Sequence, residues 1–169
     1  MFKNEQKGFT LVEITVVIAI IILLSGIVLA NYRVGEKEYA LLRSAHKLVQ
    51  DIRRVQAMAM GAVKHSSCPA GYKYGYGAYL TTAESGHYIL FADCDNGEDY
   101  DLGEGVEDIK FETKIKITTL SGNPLTITFT PPDPTIKINP TATSATITLT
   151  YDGKTKTVKI NTAGLIEIK

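Results

Sequence analysis

Hydrophobic positions follow three different patterns along the 169-residue chain. The first is a continuous run. From Phe9 to Ala30 the one ionisable side chain is Glu13, and within Ile14–Ala30 only Thr15 and Ser25 are polar. At about 1.5 Å per residue this run predicts a helix of about 33 Å, enough to cross a bilayer's hydrocarbon core. The second pattern is a stripe. Leu41, Leu42, Ala45, Leu48, Val49, Ile52, Val55 and Ala59 recur at three- and four-residue steps, while Arg43, Lys47, Asp51 and Arg54 take other faces. Together the two predict one helix from about Thr10 to Met60, with Gly61 as its stop and Ser25-Gly26 as its weakest point.

Beyond Gly61 the third pattern is alternation of β-branched and polar residues. It predicts strands at 77–80, 87–92, 109–119, 125–130, 136–138, 145–151, 155–161 and 165–168. Asp152-Gly153 reads as a hairpin turn, Thr162-Ala163-Gly164 as another, and Pro131-Pro132-Asp133-Pro134 as a loop. The fold class expected is α+β: a long N-terminal helix, membrane-spanning in its first half, with its second half packed on antiparallel sheet.

Charge sharpens this division. Lys+Arg and Asp+Glu balance at 18 each, yet residues 31–61 hold six bases against three acids and residues 62–169 ten against thirteen. The β-rich part therefore lacks the basic surface of a nucleic-acid binder, and no nucleic-acid partner is expected. The apolar run, long enough for a membrane, disfavours a simple cytosolic protein. Lys3 and Lys7 precede the run, so the N-terminus is expected on the cytoplasmic side with the remainder outside. A cleavable secretory signal has a shorter apolar core, and Arg33-Val34-Gly35-Glu36 makes a poor cleavage site behind this one. A carboxylate such as Glu13 costs a few kcal/mol in lipid and calls for a partner.

Lys7-Gly8-Phe9-Thr10-Leu11-Val12-Glu13 followed by Val16-Val17-Ile18-Ala19-Ile20-Ile21 resembles the class III signal of type IV pilin-like proteins. The resemblance implies cleavage between Gly8 and Phe9 by a prepilin peptidase, which then methylates the new amine of Phe9. It implies that Glu13 neutralises the N-terminal amine of a neighbouring subunit during assembly. The organisation it implies is a leader at 1–8, a transmembrane and filament-core helix at 9–30, an amphipathic helix at 31–61 and a β-rich domain at 62–169. Partners implied are other pilin or pseudopilin subunits, the prepilin peptidase, the inner-membrane assembly platform and membrane lipid. The location implied is the cytoplasmic membrane of a bacterial-type cell, then a periplasmic or extracellular filament.

Ala30 stands where many major pilins carry a helix-kinking proline, which leans toward a minor subunit. Tyr88-Ile89-Leu90-Phe91-Ala92-Asp93, the loop after it and the turn Thr162-Ala163-Gly164-Leu165-Ile166 resemble the minor pseudopilin H and fimbrial protein T branch. That branch implies two small sheets on the helix; a single pilin-like sheet is the alternative. The DNA-capturing arginine of some T-type proteins has no counterpart in Gly164–Lys169. The expected role is a structural, non-enzymatic minor pilin or pseudopilin of a type IV pilus or type II secretion-like filament. A tip module binding DNA or a surface, or a membrane-anchored β-domain that never polymerises, are the rivals.

Cys68 and Cys94 are the two cysteines, and in an outward-facing domain an even pair reads as a disulfide. Zinc held with His65 and His87 is the weaker alternative, because the four residues have no recognised zinc spacing. No catalytic motif frames the His, Cys and Asp residues. His46 reads as a solvated helix residue, and Tyr72, Tyr74, Tyr76 and Tyr79 as alternating strand positions. Between Lys73 and Lys110 there is no Lys or Arg, while eight acids fall from Asp93 to Asp108. Asp93, Asp95, Asp99 and Asp101 alternate around Gly97 and offer oxygen ligands for calcium, although the glycine misses the EF-hand position. The rival reading is a solvated loop, mobile through its own repulsion.

Overall fold

The computed structural model describes residues 8–66, 68, 75–95, 97–132, 136–140 and 143–169, with the backbone alone at 30, 31, 33 and 34. Lys3, Lys7, Tyr72, Tyr74 and Asp133-Pro134, all named above, lie outside them. The chain divides into two units, Met1–Glu36 and Lys37–Lys169. Helix α1 spans Leu11–Met60 and passes Ser25-Gly26 without a break. Thr10 caps it: its hydroxyl accepts the Glu13 N–H at 3.2 Å, satisfying one orphan donor of the first turn. Thr15 returns its hydroxyl to the Val12 carbonyl at 2.8 Å, so this polar group needs no outside partner. In the first unit Leu11–Leu29 is long and apolar enough to cross a membrane, and none of it is buried.

The helix does stop at Met60, but the left-handed residue is Ala62 (φ 48°), not Gly61. Val63 N–H reaches back to the Met58 carbonyl at 3.1 Å, closing a Schellman-type turn. An alanine there carries the steric cost that glycine would avoid.

Among the described residues the second unit holds nine strands: β1 (Gly75–Leu80), β2 (His87–Asp93), β3 (Gly105–Lys110), β4 (Lys116–Leu120), β5 (Leu125–Phe129), β6 (Ile136–Asn139), β7 (Ser144–Tyr151), β8 (Lys154–Asn161) and β9 (Ile166–Ile168). They form two sheets, ordered β3-β2-β1-β5-β6 and β4-β7-β8-β9. All pairings are antiparallel. Two sheets, rather than one, therefore accompany the helix. Leu41, Ala45, Leu48, Ile52, Val55 and Ala59 of α1 share one core with Tyr76, Leu90 and Ile127 of the larger sheet and Ile147, Leu149 and Val158 of the smaller. His46 is exposed on the opposite face. Asp152 and Gly153 both take positive φ (47° and 81°), the backbone that a two-residue hairpin between β7 and β8 demands.

The expected strand at 109–119 is two strands in different sheets. Alternation runs through the break, which is why the pattern hides it. The Ile115 N–H bonds the Glu112 carbonyl at 3.0 Å and Lys114 takes φ 74°, turning the chain between them. Phe111 stays behind against the Tyr88 ring, with centroids 5.1 Å apart. Ile115 and Ile117 go on into the shared core.

Polar contacts fix the helix to both sheets. Arg43 grips Glu112 through two hydrogen bonds of 3.0 and 2.9 Å, Arg54 pairs with Glu107, and Lys37 pairs with Asp152. The bonds from Arg43 hold the Glu112 carboxyl below its usual range, and Lys37 does the same to Asp152. A carboxyl lowered on folding contributes stability above its unfolded pKa and loses it as pH falls, so these contacts weaken in acid. Between helix and β2, the buried Tyr88 hydroxyl donates to Asp51 Oδ2 at 2.6 Å. Burial first, and the bond to Asp51 second, push the Tyr88 phenol well above its ordinary range, so it remains a donor.

Two substitutions test this account by denaturant unfolding of the full chain in detergent. Ala62→Gly relieves the left-handed residue and should stabilise the protein by about 1 kcal/mol; a destabilisation would contradict the turn. Tyr88→Phe leaves Asp51 short of its buried donor and should destabilise by about 1–3 kcal/mol, whereas an exposed pair would show almost nothing.

Candidate functional site

Two regions carry the residues singled out by sequence. The first is the N-terminal segment. Gly8 and Phe9 precede α1, and a Cβ built on Gly8 meets nothing within 4 Å, so packing in this chain does not demand the glycine. Phe9 is 80% exposed and heads a series of exposed apolar residues that runs to Leu29. Glu13 lies in the first helical turn, where the helix dipole favours a negative charge. Thr10 and Glu13 have the spacing of a capping box, a local role for this stretch that the apolar pattern obscured. No basic side chain among the described residues pairs with the Glu13 carboxylate.

The second region is the acidic loop after β2. Cys68 and Cys94 are joined by a disulfide with Cα atoms 5.0 Å apart, which takes both sulfurs away from any zinc site. His87 is elsewhere engaged: Nε2 lies 2.8 Å from Glu84 and Nδ1 2.8 Å from Asp108. The loop from Cys94 to Glu104 is fastened from within. The buried Glu104 accepts the Cys94 N–H at Oε1 (2.7 Å) and the Asp101 N–H at Oε2 (3.0 Å). The buried Asp93 accepts the Glu98 N–H at 3.3 Å, and Asp95 accepts that of Gly97 at 2.7 Å.

It is also fastened to the sheet. Phe91 projects from the face of the larger sheet that the helix does not cover, yet it is fully buried. Tyr100 of the loop packs on its ring with centroids 5.6 Å apart. The Thr128 hydroxyl donates to the Glu98 carbonyl at 2.7 Å. Gly77, opposite Phe91 in register, makes this possible: a Cβ there would sit 2.5 Å from the ring. The loop is therefore a cover over Phe91 rather than a free acidic strand. Its charge repulsion is relieved by backbone N–H groups turned onto the carboxylates. Glu107 and Asp108, counted with it in sequence, belong to β3 and face Arg54 and His87.

Of the four aspartates expected to act together, two converge. One oxygen each of Asp93, Asp95 and Glu104 lie within 4.8 Å of one another. Asp99 is turned away, and both its oxygens accept from Asn139 Nδ2, at 2.6 and 2.7 Å. Asp101 presents its N–H to Glu104, and its side chain is exposed and outside the group. Glu104 was missed because it enters only when the loop closes back on Ala92, whose N–H bonds the Glu104 carbonyl at 3.0 Å. An all-carboxylate donor set of this kind fits a hard cation such as calcium, which takes six to eight oxygens, the remainder coming from carbonyls or water.

The profile of the prokaryotic N-terminal methylation motif matches residues 3–29. No curated protein and no solved structure matches the chain. The matched stretch contains Gly8, Phe9, Glu13 and the apolar first half of α1. A prepilin-type methylation motif followed by an exposed apolar helix supports a type IV pilin-like protein, processed by a prepilin peptidase and anchored in a membrane.

Proposed function

We propose that this chain is a structural, non-enzymatic minor pilin or pseudopilin, made as a precursor and built into a type IV pilus or type II secretion-like filament. The observation that carries the proposal is the methylation motif with one carboxylate, Glu13, inside an otherwise uncharged helical stretch, Leu11–Leu29, that is wholly exposed. Exposed apolar surface on this scale requires lipid or other helices. In the membrane, Lys3 and Lys7 hold the leader on the cytoplasmic side. Cleavage after Gly8 frees the Phe9 amine, which is methylated. In the filament the helices of neighbouring subunits replace lipid, and Glu13 of one meets the N-terminal ammonium of another. A carboxylate costly to bury alone becomes tolerable in a pair, and pairing rewards the correct axial register. The β-rich unit is displayed outside, in the periplasm or beyond the cell.

A role in DNA capture finds no support in the charge of residues 62–169. Calcium belongs to the proposal as a second part, favoured by the convergence of Asp93, Asp95 and Glu104. These residues would hold the ion and so brace the loop over Phe91.

The filament reading is tested by Gly8→Trp and Glu13→Val in cells that carry a prepilin peptidase. Wild-type chain recovered from sheared filaments should begin at a methylated Phe9 by intact mass. Gly8→Trp should leave the leader attached, and Glu13→Val should insert in the membrane but fall at least tenfold in filaments. Uncut chain in filaments, or normal assembly of Glu13→Val, overturns it. For calcium, the full chain should melt higher in millimolar calcium than in chelator at matched ionic strength. That gain should vanish in Asp95→Asn with the fold intact; an equal gain in both proteins is screening alone.

A further inference from the structure

The acidic loop covers only part of the outer face of the larger sheet. The register places Tyr79, Thr126 and Asn139 side by side across β1, β5 and β6. Directly opposed residues share a face, and this row lies next to the row of Gly77 and Thr128 that the loop closes. Over the Tyr79 row stands a cleft of about 300 Å³. Asp99 and Tyr100 form one wall, and Asn123-Pro124 from the turn between β4 and β5 forms another. Its size is at the lower end of small-molecule sites and suits one ring-sized group. A second groove of about 410 Å³ shares Asp99, Asn139 and Pro140 with it, so space continues past the Asp99–Asn139 bond.

The chemistry of the walls is specific. Tyr79 and Tyr100 pack with ring centroids 4.8 Å apart and planes inclined by 41°, making an aromatic corner with polar hydroxyl tips. Around it are a hydroxyl from Thr126, a carboxylate from Asp99 and an amide from Asn139. The carboxylate is held in place, since Asn139 Nδ2 donates to both of its oxygens. Asn123 is likewise fixed, bonded to Thr81 and Thr82 at 2.6–3.2 Å. The cleft thus combines an aromatic surface for C–H groups with prepositioned acceptors for hydroxyl protons. A hexose has both: one face of axial C–H bonds and a rim of hydroxyls. A cation fits less well. The two rings lean on each other instead of boxing a charge, and the site holds a single carboxylate.

We propose that this cleft is a saccharide-binding site, taking one pyranose ring against Tyr79 and Tyr100 with its hydroxyls bonded to Asp99 and Asn139. It goes beyond the filament reading and does not rest on it, because every residue involved lies in the Lys37–Lys169 unit. The test uses the full chain in a polyoxyethylene detergent, since a sugar-headed detergent would compete. Methyl glycosides of glucose, galactose and N-acetylglucosamine are titrated by saturation-transfer NMR. At least one should receive magnetisation at its ring C–H protons and compete with its own free sugar. Asp99→Ala, a change at an exposed side chain, should weaken that glycoside at least tenfold, the loss expected for a bond to a charged acceptor. Tyr79→Ala should do the same, with circular dichroism and melting temperature confirming that the variant is folded. Tetramethylammonium is titrated in parallel. Absence of transfer to all three glycosides overturns the proposal, as does transfer that Asp99→Ala leaves unchanged. Asp99-dependent binding of tetramethylammonium without glycoside binding also overturns it and makes the cleft a cation site.

Discussion

The apolar stripe of α1 from Leu41 to Ala59 is the contact on which both sheets depend. A sheet of four or five strands with one apolar face cannot leave that face in water, and neither sheet here is large enough to fold around itself. The same helical face serves both. Ala45 and Ala59 are small and fully buried, bringing the helix close, while Leu48 and Ile52 fill the space between. Each fully buried Leu or Ile contributes about 1.5–3 kcal/mol, so the stripe outweighs the polar contacts at its edges. Those contacts have a different effect. Tyr88 to Asp51 and Arg43 to Glu112 are directional, and they set which turn of the helix faces which strand.

Because the helix claims one face of the larger sheet, the other would expose Phe91, and the loop from Cys94 to Glu104 covers it. The disulfide ties the loop's start to the segment after α1, and Glu104 ties its end back to Cys94. Covering Phe91 with an acidic segment is tolerable because its carboxylates accept backbone N–H bonds, the strongest local relief for a buried negative charge short of a cation. The cover stops at Tyr100, and the cleft over Tyr79 begins where it stops.

The first unit obeys the opposite rule. Among the described residues its side chains from Leu11 to Leu29 are exposed, and apolar surface of this extent calls for lipid or other helices. The helix meets its internal obligations locally: Thr10 caps the first turn and Thr15 bonds back to Val12. The Glu13 carboxylate remains, and in an apolar environment it requires a partner of opposite charge. That residue links the local chemistry of the helix to the many-subunit role proposed above.

Properties with a local or periodic cause were legible in the amino-acid sequence. The extent of α1, its change from uniformly apolar to two-faced, most strand positions, the Asp152-Gly153 turn and the α+β class all follow from spacing and backbone preference. The motif around Gly8, Phe9 and Glu13 is legible for the same reason, since its residues are contiguous. The tertiary structure alone decided where distant segments meet. Alternation through Ile109–Thr119 could not reveal a turn at Lys114, because both strands keep the same period while entering different sheets. Ala62, two residues past the helix end, took the left-handed position beside an available glycine because the turn closes from Val63 back onto Met58. Glu104 joined Asp93 and Asp95 in place of Asp99 and Asp101 because Tyr100 turns inward to cover Phe91, which swings Asp99 toward Asn139. Sequence shows which residues can bury, cap or bind, but burial of one aromatic ring decided which of them came together.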